Sequence, residues 1–343
     1  MIISRTPFRL SFFGGGTDYP QWFHHHGGAV LATAINKYCY ISARHLPPFF
    51  AHRHRIVWSQ VELVKEIEEI RHPVIRSVLK EMDFQEGLEI HHEADLPARS
   101  GLGSSSTFTV GLLHTLQALR QRMTTHRELA DAAIHIEQNV LAEAVGCQDQ
   151  ICAAFGGFNR IDFHRDGSYE LTPIILPNDR LQELEGSLML FFSGITRFAS
   201  NVARKKIDNL NNRSQELQTM HGMVQEGIDL LQDMRRPIDD FGTLLHQSWL
   251  LKRSLSDAVT NPTIDEIYHE AIQAGASGGK LMGAGGGGFM FFVVRPALQK
   301  RVRERLRKLV HVDFRFDYTG SKILIFDPDK PTPHPIFSPN SNK

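Results

Sequence analysis

The sequence predicts an α+β protein with two domains. The chain has 343 residues, and because folded domains contain about 100 to 200 residues each, two domains are expected. Short apolar segments separated by turns fill the first hundred residues, which is typical of strands. Beyond about residue 194, apolar residues recur mainly at helical spacing. This order indicates a sheet-rich domain followed by a more helical one.

The composition excludes several classes of protein. Lysine and arginine number 38, as do aspartate and glutamate, so the formal net charge is zero. A neutral chain is not drawn to nucleic acid or to an anionic membrane, and we expect neither as a partner. Apolar runs stay short of the roughly 18 residues that span a bilayer, and the N-terminal residues lack the pattern of a signal peptide. We therefore expect a soluble cytoplasmic protein.

The cysteines Cys39, Cys147 and Cys152 agree with that location. Their number is odd, and their spacing is not that of metal ligands or of a secreted disulfide framework. Free thiols are typical of the reducing cytosol. The oligomeric state stays open.

The first domain is predicted over residues 1–193. Its strands are predicted at residues 9–13, 30–34, 38–43, 55–58, 88–92, 157–163 and 187–192. A long helix is expected to begin at the serines 104–106, because apolar residues then recur at helical spacing. A second helix follows Thr125, which forms a capping-box pattern with Glu128, and its apolar face continues to Ala144.

The second domain is predicted over residues 194–326. Its helices are predicted at residues 201–234, 239–258, 263–274 and 296–309, and its strands at 289–294 and 321–326. Residues 327–343 contain five prolines and little apolar content, so this segment is predicted to be a loose tail.

A segment rich in glycine and serine opens the first long helix. It reads Pro-Ala-Arg-Ser-Gly-Leu-Gly-Ser-Ser-Ser over residues 97–106. Glycines let backbone amides turn inward, and a helix N-terminus adds partial positive charge, so the segment suits phosphate oxygens. It is not a Walker A loop, because no Gly-x4-Gly-Lys-Ser/Thr occurs. A flexible linker followed by a helix cap is the alternative.

A second segment combines a strand with three glycines. Residues 7–13 are followed by Gly14, Gly15 and Gly16, and then by Thr17 and Asp18. The glycines would bring the backbone close to a ligand, and the hydroxyl and carboxylate could bind sugar-type hydroxyls. A tight turn with Asp18 as a helix cap explains the pattern equally well.

Three charged residues suggest catalytic chemistry. Arg9 has apolar neighbours and needs an anionic partner if it is buried. Glu137 lies on the packed face of its helix, where a carboxylate is costly without a cation or hydrogen-bond donors. Asp149 follows at a turn. One carboxylate could hold Mg²⁺ while the other accepts a hydroxyl proton; two structural carboxylates are the alternative.

Taken together, these segments resemble the GHMP kinase superfamily, named for galactokinase, homoserine kinase, mevalonate kinase and phosphomevalonate kinase. The resemblance rests on the arginine-containing first strand, the Gly-Leu-Gly-Ser-Ser loop, and the glycine-rich run at 279–288, in that order. Residues 8–19, 28–38 and 193–200 look most like the bacterial D-glycero-D-manno-heptose 7-phosphate kinases. The resemblance implies a sheet-rich N-terminal domain, a ferredoxin-like C-terminal domain and an active site between them.

The resemblance also implies the roles of individual residues. The loop that binds ATP would comprise Arg99, Ser100, Gly101, Leu102, Gly103, Ser104, Ser105 and Ser106, with Gly283, Gly285 and Gly286 from the second domain. Ser105 and Glu137 would bind Mg²⁺. Asp149 would be the catalytic carboxylate, and Arg9 would lie beside it and favour its ionised form. Gly15, Gly16, Thr17 and Asp18 would contact the sugar.

One departure from the family bears on the substrate. Galactokinases carry Gly-Glu-His-Thr-Asp-Tyr where this chain has Gly-Gly-Gly-Thr-Asp-Tyr at 14–19, so two side chains that bind the sugar are replaced by glycine. Galactose is therefore not expected. The implied reaction is phosphorylation of the anomeric hydroxyl of D-glycero-D-manno-heptose 7-phosphate, in the synthesis of a nucleotide-activated heptose. A fucokinase-like acceptor, or a non-catalytic sensor on the same fold, are the alternatives.

A second phosphate on the acceptor would need cations. The sequence offers Arg44, Arg53 and Arg55 close together, and Arg197 separately. The planar guanidinium can donate two hydrogen bonds to one phosphate. Residues 44–55 could equally be a solvated hairpin with Pro47 and Pro48 at its turn.

Overall fold

The computed structural model describes residues 1–195 and 213–328. The strands are β1 (Ile2–Phe13), β2 (Gly28–His45), β3 (His54–Val57), β4 (Val61–Val64), β5 (Leu88–Ala94), β6 (Phe158–Phe163), β7 (Tyr169–Pro173), β8 (Leu188–Phe192), β9 (Gly278–Leu281), β10 (Phe289–Val293), β11 (Val310–Val312), β12 (Phe316–Asp317) and β13 (Lys322–Phe326). They form a nine-stranded main sheet, with the order β13-β1-β2-β5-β3-β4 and three strands off this path, and a four-stranded second sheet, with the order β11-β8-β10-β9.

The helices cover these sheets. They are α1 (Pro20–His26), α2 (Pro73–Glu81), α3 (Ser104–Leu119), α4 (His126–His135), α5 (Gln148–Phe155), α6 (Asn178–Gly186), α7 (Ser214–Gln232), α8 (Ile238–Ser254), α9 (Pro262–Gln273) and α10 (Pro296–Arg305). Within the described ranges, no helix is long and apolar enough to cross a bilayer. The three cysteines are free and buried.

The two longest strands form the centre of the main sheet. β1 and β2 pair antiparallel, with Ile2 opposite Ala43 and Arg9 opposite Ala34. Helices α3 and α5 pack on this pair and bury an apolar layer against it. Because β1 runs beneath both helices, it brings its side chains to the N-terminal ends of α3 and α5.

Two strands lie in a different sheet from the one predicted. β8, assigned from sequence to the first domain, pairs with β10 in the second sheet. β13, assigned to the second domain, pairs with β1 in the main sheet. Strand pairing between distant segments depends on tertiary packing, which the local apolar pattern does not encode. The predicted domain boundary between residues 193 and 194 therefore does not separate the strands of one sheet from those of the other.

The helix expected to run from Thr125 to Ala144 is shorter. The capping box of Thr125 and Glu128 is present, but α4 ends at His135 and a π-helical turn, Ile136–Val140, follows. The predicted helix over residues 201–234 is observed as α7, and its first residues lie outside the described ranges. Most of the predicted tail, residues 329–343, also lies outside them.

Candidate active site

An arginine and a carboxylate form the centre of the candidate site. Arg9 on β1 donates from Nε and Nη2 to the two oxygens of Asp149, each at 2.8 Å. Burial alone would lower the pKa of the guanidinium, but the charge of Asp149 and its hydrogen bonds raise that pKa above its usual value. The side chain of Arg9 is 5% exposed and that of Asp149 25% exposed. The arginine therefore orients the carboxylate and leaves it partly exposed to solvent.

The glycine-rich loop lies directly over this pair. Gly101 and Gly103 have φ of +85° and +77°, a region that favours glycine. The carbonyl of Gly101 accepts from Arg9 Nη1 at 2.7 Å. A Cβ placed on Gly103 would lie 3.4 Å from Asp149 Oδ2, so the loop passes directly beside the carboxylate.

The loop leads into the N-terminal end of α3. Gly103 is the N-cap of this helix, and among the described residues no side chain caps it. Uncapped amides and the helix dipole favour an anion at this end. Leu102 is buried in the core and Arg9 N donates to its carbonyl, so the loop is anchored to β1. Arg99 N donates to the hydroxyl of Ser104, which closes the loop.

The second glycine-rich run packs against the first. It forms the turn between β9 and β10, and a Cβ on Gly283 would lie only 2.5 Å from Cα of Gly101. Phe289 N donates to the carbonyl of Ser100 at 3.0 Å. Gly285 and Gly286 both have positive φ. The structure thus brings the two predicted loops together.

A buried lysine fixes the second loop. Lys252 on α8 donates from Nζ to the carbonyls of Leu281 and Gly283, at 2.7 and 2.6 Å. The sequence does not mark this residue, because a lysine in a helical segment carries no local signal of burial. It connects α8 to the turn that contacts the first glycine-rich loop.

The turn after β1 contributes the remaining predicted residues. The hydroxyl of Thr17 is buried, contacts the carbonyls of Gly14 and Ala29 and accepts from Ala29 N, so it stabilises the turn. Asp18 accepts from Gly16 N at 2.8 Å and from Gln148 Nε2 at 2.9 Å. Asp18 is 1% exposed and lies beside the start of α5.

Glu137 lies behind the first turn of α3. It is fully buried, and its oxygens accept from the hydroxyls of Ser106 and Thr109 and from the amide of Gln150. The predicted position on a packed helix face is confirmed. The hydroxyl that reaches Glu137 is that of Ser106, whereas Ser105, predicted as its partner around Mg²⁺, is exposed.

The burial of Glu137 should make the stability of the protein depend on pH. Burial raises the pKa of its carboxyl to about 7, although hydrogen bonds from Ser106 and Thr109 oppose the rise. Between the ordinary pKa of 4.5 and this value the native protein holds a proton that the unfolded chain has lost, so the free energy of unfolding falls as pH rises. We expect Glu137→Gln to remove this contribution, as denaturant titrations from about pH 5 to 8 would measure. If the free energy of unfolding changed with pH in the same way for the wild-type protein and the Glu137→Gln variant, this prediction would be wrong.

Three predicted phosphate contacts form ion pairs with carboxylates of the protein. Arg44 and Arg55 both pair with Glu89, at 2.6 and 3.3 Å, and Arg53 pairs with Glu66 at 3.7 Å. Arg44 follows Ala43, which lies opposite Ile2, seven residues along β1 from Arg9. At about 3.3 Å per residue, seven residues of strand place Arg44 more than about 20 Å from Arg9. This distance is longer than a seven-carbon sugar phosphate. Arg197 lies outside the described residues.

Two family models match the chain. The model described as GHMP kinases N terminal domain matches residues 63–157, and the one described as GHMP kinases C terminal matches residues 229–312. Between them they include the glycine-rich loop, Glu137, Asp149 and the turn at 282–288.

Individual proteins extend the likeness over the whole chain. D-glycero-alpha-D-manno-heptose 7-phosphate kinase of Campylobacter jejuni is 32% identical over 94% of this chain and 98% of its own. A bifunctional fucokinase/GDP-fucose pyrophosphorylase of Arabidopsis thaliana is 25% identical over 90% of this chain and 31% of its own. The crystal structure of a D-glycero-D-manno-heptose 1-phosphate kinase from Bacteriodes thetaiotaomicron covers 95% of this chain and 99% of its own with a TM-score of 0.77, and its 23% identity supports the fold alone.

Proposed function

The chain belongs to the GHMP kinase family, and from this premise we propose that it transfers the γ-phosphoryl group of ATP to the anomeric hydroxyl of D-glycero-D-manno-heptose 7-phosphate. Family membership makes the chain a phosphotransferase that uses ATP and acts on an alcohol group of a sugar, as predicted from the sequence. The heptose and the position of transfer are the proposal. The product would be the sugar 1-phosphate from which a nucleotide-activated heptose is made.

One observation supports the chemistry above all others. Asp149, oriented by two hydrogen bonds from Arg9, lies against the backbone of Gly103 at the N-terminal end of α3. A phosphate bound at this helix end and a hydroxyl bound at Asp149 would be neighbours. Positioning and charge stabilisation of this kind account for most of the catalysis in phosphoryl transfer.

The proposed step needs little covalent work from the protein. The anomeric oxygen forms a bond to the γ-phosphorus, the bond from that phosphorus to the β–γ bridging oxygen breaks, and ADP leaves. The carboxylate of Asp149 accepts the hydrogen bond of the attacking hydroxyl and takes its proton. An anomeric hydroxyl is more acidic than an ordinary alcohol, so a carboxylate held by Arg9 is a sufficient acceptor. The amides of Gly101 to Ser106 hold the phosphates.

Ser105 and Glu137 carry oxygens that suit a magnesium ion shared with the nucleotide, and binding would require Glu137 to exchange its hydrogen bond from Ser106 for the ion. Hydroxyl and carboxylate oxygens are the ligands that Mg²⁺ prefers, and phosphates complete its coordination in kinases. The part of the chain that the structure describes holds no group of three or more His, Cys, Asp or Glu side chains for a cage of protein ligands alone. We propose Ser105 and Glu137 as its ligands. When bound, the ion neutralises charge on the β- and γ-phosphates.

We expect Glu137→Gln to raise the Mg²⁺ concentration that gives half-maximal rate by about tenfold or more, because a neutral amide is a poorer ligand for a hard cation. The measurement is initial rate against free Mg²⁺ at saturating ATP. Glu143→Gln is the comparison, since Glu143 lies nearby and burial also raises the pKa of its carboxyl. If only the Glu143 variant shifts the titration, the metal ligand is Glu143.

Arg197 is proposed as a contact of the distal phosphate. We expect Arg197→Ala to lower kcat/KM for a phosphorylated sugar by about 10- to 100-fold and to change that for the unphosphorylated sugar far less, because a charged hydrogen bond is lost. Arg44→Ala is the matched control, since Arg44 pairs with Glu89 away from the site. Equal losses on both sugars would exclude a contact with the phosphate.

A panel of acceptors tests the proposed function. The wild-type protein with ATP is given heptose 7-phosphate, the unphosphorylated heptose, fucose, galactose and mevalonate, and ADP release is measured. Preference for the heptose 7-phosphate supports the proposal, and ³¹P spectroscopy of the product locates the new phosphate. Preference for fucose would replace the acceptor with the one named for the Arabidopsis thaliana relative. Binding without any turnover would indicate a sensor.

A further inference from the structure

The three glycines after β1 serve different purposes. Gly14 and Gly16 have φ of +79° and +117°, so the backbone of the turn requires glycine at both. A Cβ on Gly14 would also lie 1.9 Å from the carbonyl oxygen of Ala29. Gly15 has no such constraint: its φ is not positive, and a Cβ there would make only ordinary contacts. The backbone therefore does not require glycine at position 15.

Two polar side chains border the space beside Gly15. The nearest atoms to a Cβ at this position are Ser11 Oγ at 3.6 Å and Gln148 Nε2 at 3.8 Å. Ser11 lies two residues after Arg9 on β1, and alternate residues of a strand share a face. Gln148 immediately precedes Asp149 on α5. The space is thus next to both members of the central ion pair.

Both side chains carry a polar atom that lacks a partner. Among the described residues, the buried atoms without a hydrogen bond include Ser11 Oγ and Gln148 Oε1. Ser11 is 7% exposed. The orientation of the Gln148 amide is fixed, because Nε2 donates to Asp18 Oδ2 at 2.9 Å. Leaving such atoms unpaired is costly, and two of them beside the same space would be satisfied by one bound polar ligand.

We propose that Ser11 and Gln148 form a hydroxyl-recognition pair that sets the orientation of the acceptor sugar over Gly15. Gln148 Oε1 accepts from one sugar hydroxyl, and Ser11 Oγ pairs with the same hydroxyl or with its neighbour. The inference rests on the proposed sugar kinase function and extends it. It assigns recognition to β1 and α5, whereas the side chains that galactokinases use in the turn are absent here.

The proposed pair acts on selectivity rather than on the reaction itself. Asp149 contacts the reacting hydroxyl, and Gln148 on the adjacent position of α5 reaches a different part of the same ring. A site that pairs buried polar atoms with a substrate hydroxyl rejects analogues that lack it, because those atoms then stay unpaired. The pair therefore distinguishes between epimers and deoxy sugars.

The test measures kcat/KM for the acceptor that the wild-type protein prefers. We expect Ser11→Ala and Gln148→Met each to lower it by about tenfold or more while leaving KM for ATP within about twofold. Ser187→Ala is the matched control, since Ser187 is also a buried serine whose hydroxyl has no hydrogen-bond partner among the described residues, but it caps the end of α6, outside the site. Thermal unfolding of each variant shows whether it is folded.

Acceptor analogues that each lack one hydroxyl make the test specific. In the wild-type protein, kcat/KM should be about tenfold lower for the analogue that lacks the recognised hydroxyl than for the full sugar. In the Ser11→Ala or Gln148→Met variant, kcat/KM should be nearly the same for the two sugars. Gly15→Ala, which introduces a methyl group without backbone strain, should lower kcat/KM for the full sugar more than for that analogue.

The outcomes separate this inference from the proposed function. If the wild-type protein turns over a sugar but every analogue is penalised equally in wild type and variants, the hydroxyl-recognition pair is wrong and the kinase function stands. If Ser187→Ala matches Ser11→Ala, the effect is structural and the pair is equally wrong. If the wild-type protein phosphorylates none of the sugars, the proposed function fails, and this inference fails with it.

Discussion

Asp149→Asn should abolish turnover and leave nucleotide binding nearly unchanged. The amide keeps the size of the side chain but accepts a proton far more weakly than the carboxylate does. It also cannot accept both hydrogen bonds of Arg9, which reach its two oxygens at 2.8 Å. General-base contributions of this kind are about 100- to 10,000-fold in rate. The loss should therefore appear in kcat, measured by ADP release, and not in ATP affinity, measured by calorimetry.

Asp162→Asn is a closely matched control for this variant. Asp162 accepts two hydrogen bonds from Arg160 Nε and Nη2, and its side chain is 25% exposed, as is that of Asp149. If loss of an arginine–carboxylate pair alone reduced activity, both variants would be impaired. A fall in ATP affinity as large as the fall in rate would instead place Asp149 at the nucleotide.

The sequence predicted the parts of the site that depend on local chemistry. The start of α3 at Ser104 follows from glycines succeeded by an apolar helical repeat, and the capping box at Thr125 follows from two residues three apart. The burial of Glu137 follows from its position on an apolar face. Each of these depends on contacts within a few residues, where propensity and spacing are informative.

Features set by distant contacts could not be predicted in this way. Arg44 and Arg55 are close in sequence and cationic, which fits a phosphate clamp, but Glu89 on β5 lies between them once β2, β3 and β5 pair. The sequence does not mark Gln148 as a candidate binding residue, because a glutamine next to an aspartate forms no distinctive pattern. Only the fold shows that it contacts Asp18 and borders Gly15.

Gly101→Ala should have the second large effect, because one methyl group would disturb both glycine-rich loops. The φ of Gly101 is +85°, where a side chain costs about 1 to 2 kcal/mol. The added Cβ would also lie 2.6 Å from the carbonyl oxygen of Met282, a backbone atom that cannot rotate away. The loops must therefore separate. We expect kcat/KM for ATP to fall by about 100-fold, since displacements near 1 Å carry losses of this size.

Gly186→Ala distinguishes this mechanism from a general effect of replacing glycine. Gly186 ends α6, its φ is not positive, and no atom of the described residues lies within 4 Å of a Cβ placed there, so its alanine variant should retain wild-type kinetics and stability. Gly283→Ala approaches the same contact from the other loop, with its Cβ 2.5 Å from Cα of Gly101, and should reproduce the loss. If Gly101→Ala lowers the melting temperature while kcat/KM for ATP stays at the wild-type value, contact between the loops supports folding alone. If both properties stay at the wild-type value, the loops adapt without cost, and the two glycines are not required for either.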